Sequence, residues 1–179
     1  KLRQLPNTAS HRFTEESRQM AVDMFLKLEG VDGESQDKAH GNEMDVLAWS
    51  WGMSQSGTTH IGGGSGAGKV SIQDVSVTKY VDAASADLML ACCNGKHFGE
   101  AILTVRKAGE NPLEYIVITM TDLIVTSVST GGSGGEDRLT ENVTLNFAEV
   151  KFEYKQQAAK GGEEKPFEMG WDIAGNAKL

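Results

Sequence analysis

A glycine-rich polar loop leads directly into a long stretch of alternating apolar and polar residues, and this combination restricts the fold more than any other feature. The loop covers residues 131–138, and apolar side chains occupy every second position over 143–147, the period of a strand with one buried face. The period then shifts by one residue near Ala148 and Glu149, which would misplace the following apolar residues unless a β-bulge restores their face. The pattern predicts one long, bent strand over about 142–155, curved enough to belong to two sheets or to a barrel wall.

Six further segments have strand character, and one segment has helical spacing. The predicted strands cover residues 22–28, 44–51, 70–81, 100–107, 114–121 and 123–130, with an irregularity near Gln73 and Asp74. The helix is predicted from a cap at Asp82 or Ser85 to a left-handed cap at Gly95. Its apolar positions are Leu88, Met89, Cys92 and Cys93. Many strands and one helix predict a mainly β fold, an antiparallel barrel or sandwich.

The segment 44–51 contains two tryptophans that indicate which face enters the core. Leu47, Trp49 and Trp51 share one parity, and this aromatic face is expected to be buried. The opposite face, made by Val46, Ala48 and Ser50, is then expected to point away from the core. A long glycine-rich loop, 52–69, follows, and loops of this length are usually functional or disordered.

The charge of the chain excludes several kinds of partner. The formal net charge is −8 over 179 residues. Residues 1–19 contribute +2, so the rest carries −10. Such a surface repels nucleic acid phosphates and anionic membranes. No window approaches the ~18 consecutive apolar residues of a membrane span. We therefore expect no nucleic acid partner and no membrane insertion.

One motif imitates a nucleotide site but lacks its essential parts. Residues 63–69 fit the GxxxxGK pattern. A P-loop also needs Ser or Thr after the lysine, a strand before the loop and a helix after it. Val70 stands where that hydroxyl belongs and begins a strand. We therefore expect no nucleotide cofactor.

No residue pattern indicates catalysis or metal binding. His40, His60 and His97 lie far apart, without a second His or Cys at ligand spacing, and adjacent Cys92 and Cys93 match neither a zinc site nor a CxxC pair. The charged group of Glu136, Asp137, Arg138 and Glu141 is better explained by a solvated loop or an intersubunit salt bridge than by acid–base chemistry. The chain is predicted not to be an enzyme and to need no cofactor.

Several long motifs, in order along the chain, resemble a known family. These are residues 20–25, 46–57, 95–98, 106–109 and 131–147. They are similar to the Hcp (haemolysin-coregulated protein) family, the tube subunit of the bacterial type VI secretion system. The resemblance implies a β-barrel of two sheets with one packed helix, assembled as a hexameric ring. It also implies rings that stack into a hollow tube, which is propelled out of the cell with a spike at its tip. Related proteins bind effector toxins inside the ring.

This resemblance assigns roles to the exposed strand face and to the glycine loops. Ser50, Ala48 and Val46 are the expected lumen and effector contacts; the alternative is that this face packs on the next subunit or on the helix. In a monomer the glycine loops would be flexible connectors, whereas in an assembly they would order against a neighbouring copy. The residues expected in ring stacking are Gly57, His60, Gly63, Gly64, Gly131, Gly132, Glu136, Asp137 and Arg138.

The interpretation divides the chain into three parts and predicts its partners. Residues 1–19 are expected to be a leader or vector-derived extension, with no secretory signal. Residues 20–155 form the Hcp-like barrel domain, and 156–179 a C-terminal tail. The expected partners are copies of the chain and the spike, sheath and effector proteins. The protein should reside in the bacterial cytoplasm before firing and then be secreted, without a signal peptide. The alternatives are a ring that serves mainly as an effector chaperone and a monomeric, soluble β-barrel binding module.

Overall fold

The computed structural model describes residues 22–57, 69–108, 112–135, 137–156 and 165–179. These ranges contain ten strands and one helix. In chain order they are β1 (Val22–Leu28), β2 (Met44–Ser50), β3 (Met53–Ser54), β4 (Ser71–Ile72), β5 (Val75–Tyr80), α1 (Ser85–Asn94), β6 (His97–Lys107), β7 (Leu113–Gly131), β8 (Thr140–Tyr154), β9 (Phe167–Asp172) and β10 (Ala177–Lys178).

Six of these strands close into an antiparallel barrel. Neighbours pair in the order β8, β5, β2, β1, β6 and β7, and a further pairing of β7 with β8 completes the circle. Strands β9 and β10 extend the same sheet from β8, whereas β3 and β4 form a separate two-stranded hairpin. The predicted mainly β barrel with one helix is confirmed. Strand β3 lies within residues 52–69, where the sequence predicted a loop. Strand β4 lies at the start of the predicted strand 70–81, which the sequence expected to be irregular near Gln73 and Asp74.

Strand β8 is the long, bent strand that the alternating pattern predicts. Its first part pairs with β5 and its last part with β9, while β7 pairs with it along almost the whole length. Phe147 and Val150 are both buried, so the inward parity changes at Ala148–Glu149 as expected. The opposite strand changes parity at the facing position, where Met120 and Leu123 are both buried. Pairing therefore continues through a bend shared by both strands.

The bend also explains an error in the strand count. The sequence predicted two strands, 114–121 and 123–130, where the structure has the single strand β7. Asp122, between them, has φ 49°, a left-handed conformation that Asp tolerates better than most residues. The left-handed conformation of Asp122 thus bends β7 at this point, and the strand continues on both sides of it.

The face assignment of β2 was partly wrong. Val46 is buried in the core, while Leu47 is exposed, the reverse of the expectation. The register between β2 and β5 shifts between Val46 and Ala48, and a bulge of this kind moves subsequent side chains to the opposite face. Beyond the shift the prediction holds, because Trp49 packs against the core and Ser50 is exposed. Val46 therefore does not share an exposed face with Ala48 and Ser50.

Helix α1 ends at Gly95 in the left-handed conformation, with φ 65°, as predicted. Its inner face is made by Ser85, Leu88 and Ala91, and the last two join the core cluster that fills the barrel. Met89 and Cys93, which the sequence placed on the apolar face, are exposed. The helix packs mainly on β7.

Part of the predicted tail belongs to the sheet. Strand β9 pairs with β8 from Glu149 to Tyr154, and Trp171 packs against the core cluster. Phe167 is largely exposed and lies beside Tyr154, with ring centroids 6.3 Å apart. Residues 167–178 therefore extend the barrel wall.

Candidate assembly and cargo surfaces

Part of the outer face of four neighbouring strands carries side chains that are small or polar and uncharged. In one row across the sheet, Ser50 of β2 is opposite Ser76 of β5, which is opposite Thr144 of β8, which in turn is opposite Ser127 of β7. The chain neighbours of Ser76 and Thr144, which are Val75, Val77, Val143 and Leu145, are buried, and Ser50 and Ser127 are exposed. Because side chains alternate along a strand, this row points away from the core.

A second row lies beside the first. Ala48 is opposite Thr78, Thr78 is opposite Asn142, and Asn142 is opposite Ser129. The Thr78 hydroxyl donates a hydrogen bond of 2.7 Å to Asn142 Oδ1. We call these two rows of four residues the neutral face. It spans four strands, about 14 Å from the first to the last, and contains neither a charged nor a large apolar side chain.

The two loops expected in ring stacking leave the barrel at opposite ends of β5. Residue Tyr80 is opposite Thr140, where the loop 132–139 ends, whereas Val75 follows the hairpin β3–β4 closely. Gly57, Gly131, Gly132, Asp137 and Arg138 are exposed. His60, Gly63, Gly64 and Glu136 lie outside the described residues.

At the described end of the second loop, residues 137–139, two contacts connect the chain to the barrel. The Arg138 guanidinium lies over the Tyr80 ring, 4.0 Å from its centroid, and the Val81 amide donates a 2.9 Å hydrogen bond to the Leu139 carbonyl. Glu141, which the sequence grouped with this charged loop, instead points into the core. The structure therefore separates the members of the predicted charged group.

A buried ionic cluster lies behind the same end of β5, and sequence reasoning missed it. Lys79 and Glu141 are both 0% exposed. Lys79 Nζ donates to Glu141 Oε1 at 2.8 Å, to Asp82 Oδ1 at 2.6 Å and to the Tyr80 carbonyl at 2.8 Å. The Ser85 hydroxyl donates to the same Glu141 oxygen. The cluster ties the first turn of α1 to β5 and β8. One signal could have revealed it, since Lys79 continues the inward parity of Val75 and Val77.

A second ionic cluster fixes the loop between β1 and β2. Arg106 donates hydrogen bonds to Asp37 and to Asp23. The hydrogen bond from Arg106 holds the pKa of Asp37 well below its usual range, with help from the Ala39 amide. Conversely, Asp37 raises the pKa of Arg106. His40 stacks on Phe25 beside this cluster, with ring centroids 4.3 Å apart. These groups hold the loop to the barrel.

The remaining candidate chemistry is sparse in the part of the chain that the structure describes. No three His, Cys, Asp or Glu side chains gather there in a way that could hold a metal ion. Cys92 and Cys93 are free thiols. Among the described helices, none has the length and apolar character required to cross a membrane.

Comparison with known proteins relates this architecture to one family. A family model described as "Type VI secretion system effector, Hcp" matches residues 25–154. The chain is similar to protein hcp1 of Pseudomonas aeruginosa, with 60% identity over 161 residues, covering 89% of this chain and 99% of that protein.

Solved structures agree with this relationship. The fold is similar to the crystal structure of Hcp1 from Salmonella typhimurium, at 45% identity and a TM-score of 0.74, covering 89% of this chain and all (100%) of that one. It is also similar to a type VI secretion system effector from Yersinia pestis, at 34% identity and a TM-score of 0.70, covering 84% and 100% of the two chains. The chain therefore belongs to the Hcp family of type VI secretion proteins, which are secreted tube subunits and not enzymes.

Proposed function

We propose that this chain forms a homohexameric ring, that such rings stack into the hollow inner tube of a type VI secretion machine, and that the neutral face lines the lumen. Self-assembly into rings is a property of the family. The number of subunits, the stacking and the lining of the lumen are our inference for this chain. In the wall of the lumen we place Ser50 and Ala48 of β2, together with the six other residues of the neutral face, which belong to β5, β8 and β7.

The contrast between the neutral face and the rest of the surface carries this proposal. Large exposed apolar side chains occur elsewhere among the described residues. They include Val22, Leu47, Met53, Val81, Met89, Leu90, Leu139, Tyr154 and Phe167. Stable interfaces are enriched in aromatic, methionine and arginine side chains at their centres and depleted in serine. The apolar positions therefore suit contacts between copies, whereas the neutral face suits a surface that stays open.

The hydroxyl and amide groups of the neutral face are also suited to transient contact with a cargo protein in the lumen. Such groups form hydrogen bonds with a folded protein but give up hydrogen bonds to water in return, so each contact adds little net free energy. Without fixed charges or apolar anchors, a cargo would be retained weakly and released readily. The narrower alternative, a ring serving mainly as chaperone for one effector, would require specific anchors on this face.

The expected partners follow from the tube. A tube needs a surrounding sheath and a spike at its tip, and we propose both as partners, together with effector proteins in the lumen. The protein would accumulate in the bacterial cytoplasm before firing and leave the cell with the tube, independently of a signal peptide.

Light scattering of the purified chain, with electron microscopy of the same sample, tests the assembly. The proposal expects a mass of six times the 19.2 kDa of one chain and ring-shaped particles with a central hole. A single-chain mass at micromolar concentration would instead support a monomeric binding module and would exclude the ring.

A further inference from the structure

We infer that His40 acts as a proton-dependent clasp, which binds the loop 29–43 to β7 while the imidazole ring carries a proton and releases the loop when that proton is lost. The loop connects β1 to β2. The inference does not depend on the ring or on the lining of the lumen, because every contact that it uses lies within one chain.

The His40 ring is buried with a carboxylate on each side of it. Its side chain is 9% exposed, and the ring stacks on Phe25 with the two ring planes 9° apart. Nδ1 lies 2.9 Å from Glu43 Oε2, in the same loop. Nε2, on the opposite edge of the ring, lies 3.3 Å from Glu114 Oε1 on β7. His40 thus bridges an acid of the loop and an acid of the barrel.

Only the protonated ring can bind both carboxylates. A neutral imidazole has one N–H donor and one acceptor nitrogen, whereas the imidazolium has two donors. If the neutral ring donates from Nδ1 to Glu43, the lone pair of Nε2 faces the negative charge of Glu114. The other neutral form places the lone pair against Glu43 instead. Nε2 has no well-aligned hydrogen bond among the described residues, so its contact with Glu114 depends on the charge of the ring.

The charged groups that face the ring come from every element packed against it. They are Asp37 and Glu43 of the loop, Asp23 of β1, Arg106 of β6 and Glu114 of β7. Arg106 already pairs with Asp37 and Asp23, and Lys107, the next residue of β6, lies over the Tyr115 ring. A proton on His40 therefore reduces the electrostatic repulsion among the acids around it.

The direction of the pH dependence follows from these contacts. The clasp is closed at low pH, where imidazole is charged, and opens as pH rises through the range of about 5 to 8 in which imidazole loses its proton. Asp37 keeps its bonds to Arg106, so opening loosens the loop without detaching it. Members of the family are secreted, so the protein leaves the compartment in which it is made. The loop would respond to a difference in acidity between the two sides.

Hydrogen–deuterium exchange of the folded protein tests the clasp. The measured quantity is the protection factor of the loop amides, in which the intrinsic pH dependence of exchange is divided out. In the natural chain this factor should fall at least about tenfold between about pH 5.5 and about pH 8.5, the loss expected for one charged hydrogen bond. Protection in β5 and β8 should stay constant. Equal loop protection at both pH values, or an equal loss in β5 and β8, would overturn the inference.

Two variants remove the pH dependence in different ways. In Glu114→Gln the side-chain amide can donate to the neutral Nε2, so the loop should be as protected at the higher pH as at the lower. His40→Gln removes the titrating ring, so its loop protection should be lower but equal at both pH values. If either variant loses loop protection with pH as the natural chain does, His40 is not the clasp.

An exposed histidine provides the matched control. His97 Nδ1 lies 3.1 Å from Asp122 Oδ1, but the two side chains are 72% and 66% exposed, and water screens such a pair. Asp122→Asn makes the same acid-to-amide change beside a histidine as Glu114→Gln. It should leave the pH-dependent loss of loop protection unchanged. An effect as large as that of Glu114→Gln would show that the overall charge of the protein, and not the clasp, controls the loop.

Discussion

Replacing Lys79 by methionine is expected to destabilise the barrel strongly, because the lysine neutralises two carboxylates that have little or no access to water. Lys79 and Glu141 are both 0% exposed, and the Asp82 side chain is 7% exposed. Methionine fills a similar volume, so the cost comes from electrostatics and not from a cavity. Removing one partner of a buried ion pair typically costs about 3–5 kcal/mol. With a urea m-value of about 2 kcal/mol/M, the unfolding midpoint should fall by about 2 M.

The double variant Lys79→Met, Glu141→Leu separates this explanation from simple loss of packing. It removes both charges, and Asp82 keeps its 2.9 Å hydrogen bond from the Ala84 amide. We expect the double variant to cost about 2 kcal/mol or less, so that the second substitution recovers stability. Urea unfolding followed by circular dichroism measures both, at one fixed protein concentration because assembly also stabilises the fold.

An exposed ion pair provides the control for the buried one. Lys151 lies 3.3 Å from Glu153, but the Lys151 side chain is 47% exposed. Lys151→Met should therefore cost less than about 1 kcal/mol. The reasoning is refuted if Lys79→Met is as mild as this control, or if the double variant is less stable than Lys79→Met alone.

Three further predictions test the loop anchors and the cargo face. Gly33→Ala should lower the free energy of unfolding by about 1–3 kcal/mol, because the added Cβ would collide with the backbone carbonyl of Glu43. The melting temperature measures this loss, and an unchanged melting temperature would show that the loop can shift. The depressed pKa of Asp37 means that its stabilising charge is present above the unfolded pKa of about 3.9 and is lost as pH falls towards the folded pKa. The difference in urea midpoint between the natural chain and Asp37→Asn should thus be constant above about pH 5 and shrink below about pH 4; a difference independent of pH would contradict this. Ser50→Lys should reduce the amount of a co-expressed effector that purifies with the ring, while light scattering still gives the ring mass. Asp87→Lys, on the exposed side of α1, is its control, and loss of the ring in Ser50→Lys would make that position an interface.

Local patterns along the chain were sufficient to locate most elements. The two-residue period of apolar side chains predicted β1 and β8 nearly to their ends, and the parity change at Ala148–Glu149 appears as the shared bend of β7 and β8. Gly95 marked the end of α1 because its left-handed conformation is a local requirement. These features depend on neighbours within a few residues, which the sequence displays directly.

Errors arose where a distant strand decides which face is buried. Val46 is buried because of a register shift against β5, and nothing in residues 44–51 themselves specifies that shift. In the same way, a lysine or glutamate viewed alone is expected in solvent. Lys79 and Glu141 are buried only because each meets the other across β5 and β8, 62 residues apart in sequence.

The sequence by itself determined most strands of the barrel, the helix, the bend and the resemblance to a secreted tube family, because each of these depends on local residue spacing or on the order of motifs. Only the tertiary structure decided which side chains share a surface. The neutral face draws its eight residues from four strands. Such surfaces exist only after the barrel closes, because hydrogen-bond register between distant strands sets the neighbours of every exposed side chain.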